Sequence, residues 1–249
     1  MSDRLVTLYG TDEPLPEEIA LEAGPLSALL TGGALRSIKL QGVEAFLGLY
    51  FLVRDRNWAA LVPEVEDLAV ERRADGFTVT FTCNGTTPSD GTRFVWYGRI
   101  EGSVARGIRF EAVGKAEADL VTARTGFIVL HPLEKVVGCA VAIEHSDGRV
   151  EESAFPDLMA PLQSFFDFRA MTNEPIPGIR AICRMDGSHP WETEDHRNWL
   201  DASFKTYFRP LGLPWPYTVP AAEEIRQTVT LTFEPSIAAL EPVPAEDTV

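Results

Sequence analysis

The sequence predicts an all-β domain, a large antiparallel β-sandwich with few short helices, and three observations carry that prediction. Short apolar or alternating segments recur along the chain, turn signals separate them, and helical periodicity is weak throughout. The 19 glycines and 18 prolines supply the turns.

Taken in order, LSALL runs into Thr31-Gly32-Gly33, and ALRSIKL into Gln41-Gly42. FTVTF alternates cleanly before a Thr-Cys-Asn-Gly turn, as a strand with one face buried should. FVWYGRIEG and GIRFEAVG follow, each ending in glycine, and TGFIVL stops at His131-Pro132. CAVAIEHSDG closes on an Asp-Gly hairpin signal, to which Glu144 and His145 belong, and TVTLTF alternates as the last strand. The best helical candidates are VPEVEDLAV and AFPDLMAPLQSF; prolines interrupt both, so only short turns are expected there. Residues 1–235 read as one domain and 236–249 as a loosely ordered tail.

Composition bounds the function. With 45% hydrophobic and 24% charged residues the chain can build a sizeable core. Its net charge of −15 opposes nucleic acid and anionic membranes as partners. No run approaches the roughly 18 apolar residues that span a bilayer, and the opening MSDRLVTLYGTDEP has no apolar signal core, so a cytoplasmic location is expected. Cys83, Cys139 and Cys183 lie in strand-like runs and read as structural thiols.

Chemistry concentrates in residues 186–217, DGSHPWETEDHRNWLDASFKTYFRPLGLPWPY. Glu192, Glu194, Asp195, His196, Arg197, Asn198, Asp201, Lys205 and Arg209 alternate there with Trp191, Trp199, Tyr207, Trp215 and Tyr217. Carboxylates and amides hydrogen-bond sugar hydroxyls while aromatic faces cover the C–H face of the ring, so the mixture suits a carbohydrate site. The alternative is a solvated loop anchored by its tryptophans. If DASFKTYF is a strand, Ser203, Lys205 and Tyr207 share a face, where the lysine either stabilises an oxyanion or sits at an exposed rim. A second cluster is ARTGFIVLHP, with Arg124 before a turn and His131 at a strand end; His131 reads either as a general acid or base or as a buried hydrogen-bonding residue. No close-spaced metal motif, phosphate loop, dinucleotide fingerprint or nucleophile elbow is present, so neither metal nor cofactor is expected.

The stretches LYGTDEP, AGPLSALLTGGALRSIKLQGVE, FLVRDRNW, RTGFIVLHP, EDHRNWLDASFKTYFRPLGLPWPY and QTVTLTF resemble the amino-terminal sandwich region of bacterial D-apionate lactonases, over most of residues 8–233. The pattern is also similar to the galactose-mutarotase type of supersandwich. The resemblance implies a ligand on a concave sheet face and chemistry on a sugar, sugar acid or sugar lactone: lactone hydrolysis, epimerisation or related proton transfer. Together with the residue reading it gives His131, Glu194 and Lys205 as candidate catalytic groups, and Arg124, Asp195, His196, Arg197, Asn198, Asp201, Trp199 and Tyr207 as candidate binding groups. Three departures stand out: Ala123 where the family reads Asn, His196 where it reads Gln, and Leu200 where it reads Thr. Family members also continue into a further large domain, which opens a second reading as a non-catalytic module that binds carbohydrate or pairs with a separate catalytic chain. Flat sandwich faces also allow a homodimer.

Overall fold

The structure, a computed structural model, describes residues 2–12, 17–160, 163–221 and 223–240. Its first strands are joined by left-handed turns. β1 (Ile19–Ala23) passes through Gly24 into β2 (Leu26–Thr31). Gly32 (φ 54°) and Gly33 (φ 75°) carry β2 into β3 (Ala34–Leu40), and Gln41 (φ 51°) with Gly42 (φ 77°) carry β3 into β4 (Val43–Asp55). A two-residue hairpin whose twist matches its strands needs both residues left-handed, which is why TGG and QG stand at these points.

An antiparallel meander follows: β5 (Glu64–Arg73), β6 (Gly76–Thr86), β7 (Arg93–Ser103) and β8 (Gly107–Ala116). The long β9 (Leu120–Pro132) returns to pair with β4. β10 (Ala140–His145) and β11 (Val150–Ala154) form the hairpin signalled by the Asp-Gly pair, and β12 (Phe165–Ile176) and β13 (Ile179–Asp186) form the next. β14 (Trp191–Asp195) pairs with β15 (Ser203–Tyr207), and β15 and β16 (Tyr217–Val219) both lie along β9. β17 (Glu224–Glu234) is inserted between β8 and β13.

Every pairing is antiparallel, and the single sheet curls so that two layers face each other. One layer runs β2-β3-β4-β9-β15-β14 and the other β13-β17-β8-β7-β6-β5, with β12 bordering both. The core lies between them. Phe110 of β8 meets Phe127 of β9 edge-on at 4.8 Å, and Phe51 of β4 meets Trp96 of β7 at 5.6 Å. Cys83 and Cys183 are buried here, and burial pushes the Cys83 thiol up to about 12; Cys139 is half-buried.

One expectation is corrected, and two further features add to the sequence reading. VPEVEDLAV, expected to hold only short turns, supplies most of strand β5. That strand pairs only with β6, is exposed along most of its length and bulges at Asp67 (φ 51°), so it needs no apolar alternation and shows none. The amino terminus carries an unexpected helix, α1 (Ser2–Tyr9). The expected tail begins with a 3₁₀ turn at Ile237–Ala239 whose Ile237 is buried in the core, while residues 241–249 lie outside the described ones. Among the described residues no helix is long and apolar enough to cross a membrane.

Strand β9 positions the site. Its side chains alternate, so Phe127, Val129 and His131 enter the core while Arg124, Ile128 and Leu130 face the opposite side. There they meet a small apolar floor of Tyr207, Tyr50, Leu52 and Leu211.

Candidate functional site

Register builds the concave face row by row. Glu192, Tyr207, Ile128 and Tyr50 lie side by side across β14, β15, β9 and β4, and Glu194, Lys205, Leu130 and Gly48 form the neighbouring row. Arg54 of β4 stands opposite Arg124 of β9 beyond them. Above these strands opens a cleft of about 560 Å³ lined by Arg54, Trp58, Arg124, Glu194, His196, Trp199, Leu211 and Trp215.

Arg124 is the centre of its floor. Only 6% exposed, its guanidinium lies 3.5 Å from the centroid of the Tyr207 ring and 5.2 Å from that of Trp58. Its Nε is buried with no hydrogen-bond partner among the described residues. Burial lowers its pKa, against the opposing fields of Tyr207, Glu194 and Glu192, but a guanidinium stays charged at neutral pH.

The wall carrying Trp58 is a tight turn. Asp55, itself buried, accepts from the backbone N–H of Asn57 (2.8 Å) and Ala59 (3.0 Å), and Arg54 Nη1 donates to the Trp58 carbonyl at 2.6 Å. These bonds hold Trp58 in the left-handed region (φ 68°), which a bulky residue occupies only when its surroundings impose it. Its indole packs edge-on against Trp215 with centroids 5.1 Å apart.

The opposite wall holds Glu194 and His196. Glu194 accepts from His196 Nε2 (3.2 Å) and from Trp199 Nε1 (2.9 Å). Burial pushes the Glu194 pKa up, but those bonds and the field of Arg124 outweigh it and hold the carboxyl below its ordinary value. His196 Nδ1 faces Asp201 at 3.9 Å, and Asp201 pairs with Lys205 Nζ at 2.8 Å. Beneath, Glu192 accepts from the Tyr207 hydroxyl and from the Leu211 N–H. The Tyr207 hydroxyl is raised by burial, with Arg124 opposing and Glu192 adding. Among the described residues no three His, Cys, Asp or Glu side chains converge to hold a metal ion.

A family model described as the D-apionate lactonase N-terminal domain matches residues 6–236. The chain belongs to this family. A D-apionate lactonase of Brucella anthropi is 42% identical over 226 residues, which cover 91% of this chain. The chain spans only 37% of that relative's length. Among solved structures, a galactose mutarotase-like protein from Clostridium acetobutylicum superposes with a TM-score of 0.58 at 11% identity, covering 89% of this chain and 97% of the other. A galactose 1-epimerase from Lactobacillus acidophilus superposes at 0.57 with 11% identity, covering 90% and 96%. The all-β, galactose mutarotase-like sandwich is therefore the fold of this lactonase-family domain.

Within it the predicted residues separate into three sets. Arg124, Glu194, His196 and Trp199 line the cleft, Tyr207 supports Arg124 from below, and Asp201 and Lys205 reach the cleft through His196. A second set is committed elsewhere. Asp195 is fully buried, takes a two-pronged ion pair from Arg197 (2.9 and 2.7 Å) and accepts from the Ala160 N–H. Arg197 also donates to the carbonyls of Pro156, Asp157 and Leu158, and Asn198 donates to that of Ala160. These three fasten the 156–160 loop to the 3₁₀ turn His196–Trp199, which gives them a positioning role, and none of them lines the cleft where ligand contacts were expected.

His131 is the clearest correction. It is 1% exposed in the core between Phe46 (5.7 Å) and Phe155 (6.0 Å), and its Nε2 shares a 2.9 Å hydrogen bond with Thr206 Oγ1. Burial depresses its pKa to about 3, so it is neutral and cannot reach a ligand in the cleft. The sequence held the warning: Arg124 and His131 are seven positions apart on one strand, and an odd spacing puts them on opposite faces. Sequence reasoning singled out neither Arg54 nor Trp58, and counted Trp215 only among the aromatic residues of the polar segment. The first two arrive through the pairing of β4 with β9, a contact between segments some 70 residues apart that no local pattern reports.

Proposed function

We propose that the cleft binds a sugar lactone and opens it with water to the sugar acid. The observation that carries this reading is the juxtaposition of a fixed guanidinium, Arg124, with the Glu194 carboxylate, itself hydrogen-bonded by His196, between indole walls. The walls take the apolar face of a small ring. Arg124 donates to the lactone carbonyl oxygen and stabilises the charge that develops on it as water adds. Glu194 keeps lone pairs after accepting from His196 and Trp199, so it can hold that water, and the Glu194–His196 pair takes its proton. The ring C–O bond then breaks, and the same proton passes to the departing ring oxygen. Asp201 and Lys205 orient His196 from behind. Family membership supports the reading, since the Brucella relative is a D-apionate lactonase.

A second reading is a sugar-binding module that works against a separate catalytic unit. It is favoured by an apolar patch at the cleft mouth, where Leu200 (99% exposed) and Trp199 (69%) adjoin Leu158 (85%) on the fastened loop. Acid release from a panel of four- and five-carbon γ-lactones separates the two. Turnover by the wild type, reduced about 10²–10⁴-fold in Glu194→Gln, supports the lactonase. Lactone binding without turnover transfers the assignment to the module.

A further inference from the structure

We infer that the Arg124 end of the cleft is an anion subsite that holds the carboxylate of a sugar acid in preference to any uncharged sugar. This rests on the cleft being the sugar site proposed above. The argument is one of contact. Arg124 is nine-tenths buried, lines the cleft, is stacked on Tyr207 and leaves its Nε without an acceptor among the described residues. Its acidic neighbours are already engaged: both oxygens of Glu194 accept from His196 and Trp199, and Oε1 of Glu192 accepts from Tyr207 and Leu211. They contribute a field but no hydrogen bond to the guanidinium. What is missing is a pair of acceptor oxygens from outside.

A carboxylate supplies such a pair in the geometry of the guanidinium fork, and stacking on an aromatic ring fixes the fork in advance. A lactone carbonyl or a hydroxyl offers one neutral acceptor and satisfies the cation less well. Long-range attraction does not help, because the molecule carries −15 overall and repels anions at a distance. Selectivity therefore arises at Arg124 itself. One consequence follows for the proposed reaction: ring opening creates the carboxylate beside the group that binds it best, so the acid product is held more firmly than the lactone and competes with it.

Calorimetric titration of the full chain tests this with three pairs of probes, sodium erythronate against erythritol, sodium ribonate against ribitol, and sodium arabinonate against arabinitol. Each alditol keeps the hydroxyl chain and lacks the carboxylate. The expected result is that the best-bound acid exceeds its alditol by at least about tenfold, and that added salt does not close the gap, because the buried contact is screened little while the long-range repulsion is screened away. Arg124→Met is expected to erase the difference, and Arg124→Lys, which keeps the charge without the fork, to restore part of it. Equal affinity of every acid and its alditol in the wild type, or no binding of any acid, overturns the inference without recourse to a variant. Lactone turnover without acid preference leaves the proposed hydrolysis standing and removes the subsite. Acid preference without turnover does the reverse.

Discussion

Replacing His131 with glutamine should flatten the acid branch of the stability curve, and the size of the effect can be worked from its surroundings. The imidazole is fully buried against Phe46 and Phe155, shares one hydrogen bond with Thr206, and titrates near 3 in the folded chain because burial disfavours its cation. In the unfolded chain an ordinary histidine titrates near 6.5. Between those values the unfolded state binds the proton and the folded state does not, so stability is complete above about pH 6.5 and is lost as the pH falls. Each pH unit in that window costs about 1.4 kcal/mol, so going from pH 7 to pH 5 should remove roughly 2 kcal/mol on account of this side chain alone. Glutamine keeps an amide for Thr206 but does not titrate. Urea unfolding followed by tryptophan fluorescence at pH 7, 6 and 5 would measure both proteins, and contributions from other titrating groups such as His189 cancel in the difference. The variant starts about 1–3 kcal/mol less stable at pH 7 and converges on the wild type towards pH 5. Parallel curves would refute the burial argument. Loss of lactone turnover in a variant that remains folded would return His131 to the catalytic set.

Trp58→Ala removes one wall of the cleft and one ring beside Arg124, and should raise KM or ligand Kd by roughly tenfold with a smaller change in kcat, read from steady-state rates. Leu200 is fully exposed and held in the left-handed region (φ 60°), so Leu200→Gly relieves backbone strain without exposing core and should raise the thermal midpoint by roughly 1–3 °C in a melting scan.

Much of the sandwich is legible before any coordinates, because strands with one buried face write their geometry as alternation and the turns demand glycine. FTVTF, TVTLTF, TGG and QG are such signals, and each sits where the register needs it. The edge strand β5 is illegible for the complementary reason: with little of its length buried, nothing constrains its sequence to alternate. The site divides along the same line. Glu194, His196 and Trp199 were visible as a dense local cluster, but the same cluster contains Asp195, Arg197 and Asn198, and composition cannot tell a residue that greets a ligand from one that ties down the 156–160 loop. Arg54 and Trp58 stand in the family-like stretch FLVRDRNW, but nothing local marks them as cleft residues, since they join the cleft only once β4 lies along β9.

The two faces of β9 also bear on how such a domain can change over generations. Positions 124, 128 and 130 lie on the cleft side of the strand, whereas 127, 129 and 131 are locked among aromatic neighbours from the facing layer and adjoining loops. Charge or bulk can therefore be exchanged at alternate residues of a single strand, reshaping the cleft floor, while the intervening residues leave the packing between the two layers untouched.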